Sequence, residues 1–279
     1  MNDRALPHVS YAQNREDVLL SRVLPRTGGF YIDVGAADPV ELSVTKWFSD
    51  RGWSGINIEP QARYFAALLA ARPRDTNLNV LVSDAAREVP FYVLPDHPEL
   101  STTDPELAER YRAAGRRVVT GAQQTVTLAD VCARHAHGPI DFLKLDVEGH
   151  EGAVLRGADF RRWRPTVVLL EATEAETATP NHHGWEPLLL AAEYTFATFD
   201  GLNRYYVCAE RAELVPRLQV PINIFDEYHV PVAQVREREA VARERAGWRT
   251  EREQLVATNE ELARRVAWLE GQLGLYRAA

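Results

Sequence analysis

Short apolar runs, each closing on an acid or a glycine, alternate along this chain with amphipathic stretches. Phe30-Tyr31-Ile32-Asp33-Val34 ends at Gly35, and Gly55-Ile56-Asn57-Ile58 at Glu59-Pro60. Leu78 to Val82 ends at Ser83-Asp84, Ile140 to Leu145 at Asp146, and Thr166 to Leu170 at Glu171. Runs this uniformly apolar read as strands buried on both faces, the habit of a parallel sheet. The stretches between them carry helical spacing or composition: Ser10 to Leu20, Ser43 to Asp50, an alanine- and leucine-rich segment halting before Pro73, Thr127 to Ala133, Glu151 to Gly157, and Trp185 to Ala192. Tyr194 to Phe199 and Arg204 to Cys208, across Asp200-Gly201-Leu202-Asn203, predict a closing antiparallel hairpin. The expected fold is α/β: a Rossmann-like, doubly wound, mostly parallel sheet of seven strands ending in that hairpin.

The alternation lapses between Val89 and Gln124. Phe91 to Leu94 reads as an edge strand, and an insert over about 95–121, rich in proline and polar residues, follows the ligand-facing end of the third strand. That position suits a lid or a substrate-selecting loop. A second change comes near Ala233, where Arg, Glu, Ala and Leu take over and Val241, Trp248, Leu255, Leu262, Leu269 and Tyr276 recur every seven residues. The alternate seam positions are Arg238, Arg245, Arg252, Asn259, Val266 and Leu273. The expectation is one α/β domain over 1–231 and a C-terminal coiled-coil helix over 232–279, through which the chain forms a homo-oligomer. Because the repeat runs to the last residue, the chain reads as a piece of something longer.

Composition narrows the partners. The net charge of −8 over 279 residues argues against a nucleic-acid binder. No run reaches the ~18 apolar residues of a membrane span, and the first ten residues hold no apolar signal core. Cys132 and Cys208 lie far apart in apolar surroundings, forming neither a disulfide framework nor a metal motif, so the expected compartment is the cytoplasm.

Open parallel sheets bind ligands where their strands end. Here those ends offer Asp33 and Gly35, Glu59, Ser83 and Asp84, then Asp146 and Glu148. Glu59 follows Gly35 by 24 positions, the spacing at which a carboxylate accepts both hydroxyls of a ribose. Gly35 is expected to let the backbone approach that ligand, with the following helix offering amides. A dinucleotide cradle would need glycine where Ala37 and Val40 stand, which disfavours an NAD-dependent oxidoreductase. An acidic site suits a nucleoside without phosphates and with a positive charge, such as S-adenosylmethionine. The polar loop after the fifth strand supplies His182 and His183 as candidate general bases for a hydroxyl acceptor. Asp146 and Glu171 end neighbouring strands and would hold Mg²⁺ if a cation takes part. Arg204 is a candidate to hold an anionic group of the acceptor. A non-catalytic assembly protein, a Rossmann domain carrying a coiled coil, is the competing reading.

Asp33-Val34-Gly35-Ala36, Asn57-Ile58-Glu59-Pro60, Lys144-Leu145-Asp146-Val147-Glu148-Gly149, Val154-Leu155-Arg156-Gly157-Ala158 and Leu169-Leu170-Glu171 together resemble the FkbM family of S-adenosylmethionine-dependent O-methyltransferases. Ser10 to Asp17, Asp38-Pro39, Trp185-Glu186-Pro187 and Asp200 to Tyr205 resemble a subgroup that accompanies bacterial surface-polysaccharide synthesis. The resemblance implies that Asp33, Gly35 and Ala36 line the methionine end of the cofactor, that Glu59 holds the ribose, and that Ser83 with Asp84 approaches the adenine. Asp146 would face the transferred methyl group. His182 is preferred over His183 as the base, because the resemblance puts a histidine three residues before the tryptophan. Asn14, Asp38, Glu148, Glu171 and Arg204 would meet the acceptor. That acceptor is expected to be a sugar or glycan, with the coiled coil tying methylation to a glycan-building enzyme. Lys144 reads as structural, its stem buried and its charge reaching an edge, and His150 as a helix-start residue that caps or packs.

Overall fold

A computed structural model describes residues 8–175, 177–231, 248, 254–266, 268 and 269. The chain divides into two compact units, Met1–His229 and Val230–Ala279.

The first unit is built on a seven-stranded sheet. Its strands are β1 (Phe30–Val34), β2 (Ser54–Ile58), β3 (Thr76–Leu78), β4 (Phe142–Leu145), β5 (Val167–Glu171), β6 (Tyr194–Phe199) and β7 (Asn203–Cys208), in the spatial order β6-β7-β5-β4-β1-β2-β3. The five from β5 to β3 are parallel, and β7 runs antiparallel between β5 and β6. The apolar runs follow from burial on both faces. Along β5, Val168 and Leu170 pack into one core with Ile32, Val34, Leu143 and Leu145. Val167 and Leu169 pack into the other with Tyr31, Phe142 and Tyr205. Alternation across the pleat is therefore apolar on both sides, which erases the polar half of the usual period-two pattern.

The helices covering the sheet are α1 (Glu16–Val23), α2 (Lys46–Asp50), α3 (Ala62–Ala71), α4 (Pro105–Ala113), α5 (Leu128–His135), α6 (Glu151–Arg156), α7 (Glu186–Ala191) and α8 (Val215–Gln219). One expectation needs correction. The third apolar run is not one strand: β3 ends at Leu78, and Leu81–Ser83 belongs to a separate three-stranded sheet with Glu88–Val93 and Val119–Thr127. Asn79 marks the break, its amide donating to the carbonyls of Glu59 (2.8 Å) and Pro60 (2.9 Å). Phe91 lies, as expected, in an edge strand of that sheet, Glu88–Val93, which pairs antiparallel with a polar strand the sequence pattern hides. The α4 insert has its own small core of Leu94, Leu107 and Tyr111.

His8–Val9 pairs in parallel with Tyr228–His229, so the first described residues lie beside the last of this unit. In the second unit, residues 254–266 are helical. Trp248, Leu255, Leu262 and Leu269, four of the heptad positions, are 66%, 59%, 54% and 48% exposed. Val241, Tyr276, Leu273 and the three seam arginines lie outside the described residues. No helix among the described residues is long and apolar enough to cross a membrane.

Candidate active site

The parallel register fixes the site. Asp33 lies opposite Asn57 on β2 and opposite Lys144 on β4, so the first and fourth strands present their charged residues side by side. Lys144 is the centre of the arrangement. Its ammonium donates to the Gly35 carbonyl at 2.9 Å and pairs with Asp33 at 3.3 Å and Asp146 at 3.4 Å. Burial pushes the Lys144 pKa down, but Asp33 and Asp146 outweigh that and hold it above its ordinary value. The lysine is 9% exposed and charged, so the edge role expected of it is corrected. A lysine inside an otherwise apolar strand was the available signal, because such a charge persists only when paired.

Gly35 has φ +78°, and a Cβ placed on it would sit 1.8 Å from the Asp146 carbonyl oxygen. The close approach that requires glycine within the chain is to the end of β4. The Gly35 and Ala36 amides donate to Ile58 O at 2.9 and 3.2 Å. The helix after this loop starts only at Lys46, and three more of the loop's amides are met by carboxylates. Ala37 donates to Glu59 Oε2 (2.9 Å), while Val40 and Glu41 donate to Asp38 Oδ1. Glu59 also takes the Gln61 amide at 2.7 Å. Burial carries its carboxyl up to about 7, against the pull of those two amides. Each oxygen keeps a lone pair after accepting one amide, so Glu59 retains the capacity a ribose diol needs.

Beyond Lys144 the site becomes strongly acidic. Carboxylate oxygens of Asp146, Glu148 and Glu171 lie within 4.8 Å of one another. Burial, then repulsion from Asp146, Glu148 and Glu151, pushes Glu171 up to about 10, so without a counter-charge it holds its proton at neutral pH. Glu151 accepts the Val147 and Gly149 amides at 3.2 and 3.3 Å and so shapes the turn that carries Glu148, which has φ +51°.

The remaining expected residues divide. Ser83 is buried and bonds His150 Nε2 (3.0 Å), whose Nδ1 bonds Thr103 Oγ1 (3.1 Å). His150 thus stitches the insert to the third-strand segment, and it makes no cap to α6. Asp84 lies beside it, held below its usual pKa first by Arg87. Gly157 belongs to the same contact, since a Cβ there would meet Ser83 O at 2.1 Å. Asn14 donates to Asp200 O at 3.0 Å, fastening the start of α1 to the hairpin turn. Arg204 does not have its charge to spare: it bonds Glu186 at 2.7 Å and the Tyr206 hydroxyl at 2.9 Å, and it stacks 3.9 Å from the Phe196 ring centre. His182 is half-buried and His183 exposed, with ring centres 4.1 Å apart. Burial first, then Arg204 and His183, lower the His182 pKa, which keeps the imidazole neutral near pH 7. Its Nδ1 is buried with no hydrogen-bond partner among the described residues.

The strand ends thus bring together a buried glutamate at Glu59, a central lysine–carboxylate clamp and an acidic far side. Residues 33–196 match the model of the methyltransferase FkbM domain. The chain belongs to the FkbM methyltransferase family, and its cofactor is S-adenosylmethionine. The family sets aside the nicotinamide reading. No curated protein matches the chain. Among solved structures it is similar to a TehB-like SAM-dependent methyltransferase from Corynebacterium glutamicum (7% identity, covering 69% of this chain and 87% of that one, TM-score 0.38). It is also similar to Aeropyrum pernix fibrillarin with natively bound S-adenosyl-L-methionine (14% identity, 69% and 76% covered, TM-score 0.36). A third is the O-methyltransferase from Bacillus cereus in complex with SAH (13% identity, 72% and 84% covered, TM-score 0.36).

Proposed function

We propose that the protein is an O-methyltransferase acting on a hydroxyl of a sugar, in a bacterial surface polysaccharide or its precursor. The observation that carries the oxygen acceptor is His182: a neutral imidazole with an unpartnered buried nitrogen, on the loop that follows β5. The sugar rests on the motif resemblance in Trp185-Glu186-Pro187 and Asp200 to Tyr205.

S-adenosylmethionine supplies an electrophilic methyl carbon on a sulfonium. Glu59 would hold its ribose, Asp33, Gly35 and Ala36 would line its methionine end, and Asp84 would approach its adenine. Asp146, kept in place by Lys144, would face the reacting carbon and favour its positive charge. His182 would take the proton from the acceptor hydroxyl as the new bond forms, and alignment of that hydroxyl supplies much of the acceleration.

A second reading adds a divalent cation, favoured by the three converging carboxylates at Asp146, Glu148 and Glu171. There it would supply Lewis acidity toward the acceptor. Loss of turnover in EDTA, restored by Mg²⁺, supports it, and unchanged turnover removes it.

The main test is mass spectrometry of surface glycan from cells with and without the gene, where a methyl group present only with the gene is expected. In purified protein, His182→Ala should lower kcat by roughly 10²–10⁴-fold, while S-adenosylhomocysteine binding is kept. A glycan identical in both cells ends the sugar reading, and full activity in His182→Ala ends the assignment of the base.

A further inference from the structure

A cavity of about 490 Å³ opens beside the acids, between α4 of the insert, α6 and the loop after β5. That is the size of a small-molecule site. Glu148 is part of its wall, so it adjoins the reacting centre. Three arginines reach it from three separate elements: Arg87 after Ser83, Arg110 on α4 and Arg156 at the end of α6. Arg87 is spent on Asp84 at 2.6 Å. Arg110 and Arg156 are not held in this way. Each stands 3.9 Å from a carboxylate, Glu174 and Asp84 respectively, and their side chains are 61% and 53% exposed. Exposed pairs at that separation are weak and readily exchanged for a better anion.

Two other lining residues, Asn181 and Trp185, carry unmet hydrogen-bonding capacity. Trp185, 4% exposed, has its indole Nε1 buried without a partner among the described residues, and so does the Asn181 side-chain oxygen. The Asn181 amide nitrogen is committed to Thr173 O at 2.8 Å, which fixes the oxygen as the unused acceptor. Buried polar groups left unmet are uncommon and mark places where a ligand completes the network. The wall also holds Asp84, Asp104, Glu148, Glu151 and Glu174, so any anion must be met locally by the two loosely held guanidiniums, and the unmet donor and acceptor suit a hydroxyl-bearing ring.

We propose that this cavity is the acceptor subsite, and that it selects an anionic sugar, bearing phosphate or carboxylate, through Arg110 and Arg156, with Asn181 and Trp185 reading its hydroxyls. The inference rests on the sugar reading above and deepens it. It also moves the anion-binding role from Arg204, whose charge Glu186 answers, to the insert and α6.

The test is calorimetric titration of the full chain, with S-adenosylhomocysteine present, by glucose, glucose 1-phosphate, glucuronate and inorganic phosphate. At least one anionic sugar should bind tenfold or more tightly than glucose, and which of the two does so identifies the anion. R110Q/R156Q should erase that preference while its own S-adenosylhomocysteine affinity stays within twofold of the parent's. Both positions are half-exposed or more, and an unchanged melting temperature will show that the variant folds. Equal binding of glucose and both anionic sugars overturns the proposal, as does a preference that survives in R110Q/R156Q. Loss of S-adenosylhomocysteine affinity in that variant gives the cavity to the cofactor and also overturns it. Phosphate binding that needs Arg110 and Arg156, without binding of any sugar, keeps the anion site and ends the sugar reading. Binding of none of the four ends both.

Discussion

Replacing Gly35 by alanine would put a methyl carbon 1.8 Å from the backbone oxygen of Asp146, at a φ of +78° that L-residues avoid. The clash is with main chain, so no side-chain rotation relieves it. Gly35→Ala should cost at least ~2 kcal/mol, read from urea unfolding, and should weaken S-adenosylhomocysteine binding in the fraction that folds. Glu171 gives a residue-scale prediction of opposite sign. Its carboxyl has a pKa near 4.5 when unfolded and is pushed up to about 10 in the folded chain. Between those limits the folded state keeps a proton that the unfolded state has released, so stability falls as pH rises. Glu16, Glu59 and Glu151, each carried up to about 7 chiefly by burial, add to the same slope below neutrality. Glu171→Gln mimics the protonated form, so it should raise the denaturant midpoint at pH 8 well beyond any change at pH 5. Equal shifts at both pH values would contradict this account of the carboxyl.

Between residue and sheet, Arg72 braces the loop that follows β1. It follows α3, is 3% exposed, and donates to Pro39 O, Thr45 O (3.4 Å) and Ser43 Oγ (3.3 Å). Arg72→Leu would take from Pro39 O its donor and from Thr45 O and Ser43 Oγ one of two partners, a loss of about 1–3 kcal/mol, with a several-fold weaker affinity for S-adenosylhomocysteine. Nothing in the sequence announces Arg72, because its partners are backbone groups some 27 to 33 positions away. The sheet strands were legible because burial on both faces leaves an unbroken apolar run, and the strand-end acids followed from where those runs stop. The polar strand Val119–Thr127 was not, since most of it is exposed and only its pairing with Glu88–Val93 and Leu81–Ser83 makes it a strand. The insert shows the same limit. Its place near the ligand edge could be read, whereas the hydrogen bonds that moor it there, Thr102 to Glu148 O (3.0 Å) and Thr103 to His150, depend on folding. Lys144 stands between these cases: its position in an apolar run was visible, and its partners were fixed only by the register of β1 against β4.

At the scale of the whole molecule, the residues proposed for catalysis all belong to the first unit, Met1–His229, and the heptad pattern to the second. A chain cut after residue 232 should therefore keep its melting temperature and its methyl transfer. If the exposed apolar positions Leu255, Leu262 and Leu269 pack between copies, as a coiled coil requires, the cut should also reduce the particle mass seen by light scattering. An unchanged mass would remove self-association from the account. The cut must spare Tyr228–His229, because His229 O accepts from the Ser10 amide at 2.8 Å and closes the clasp with His8–Val9. That clasp has an engineering consequence. A module whose entrance and exit are neighbours can be spliced into a loop of a host protein, or have its ends joined and be reopened elsewhere, with little distortion of either partner. The clasp makes this domain a portable cassette.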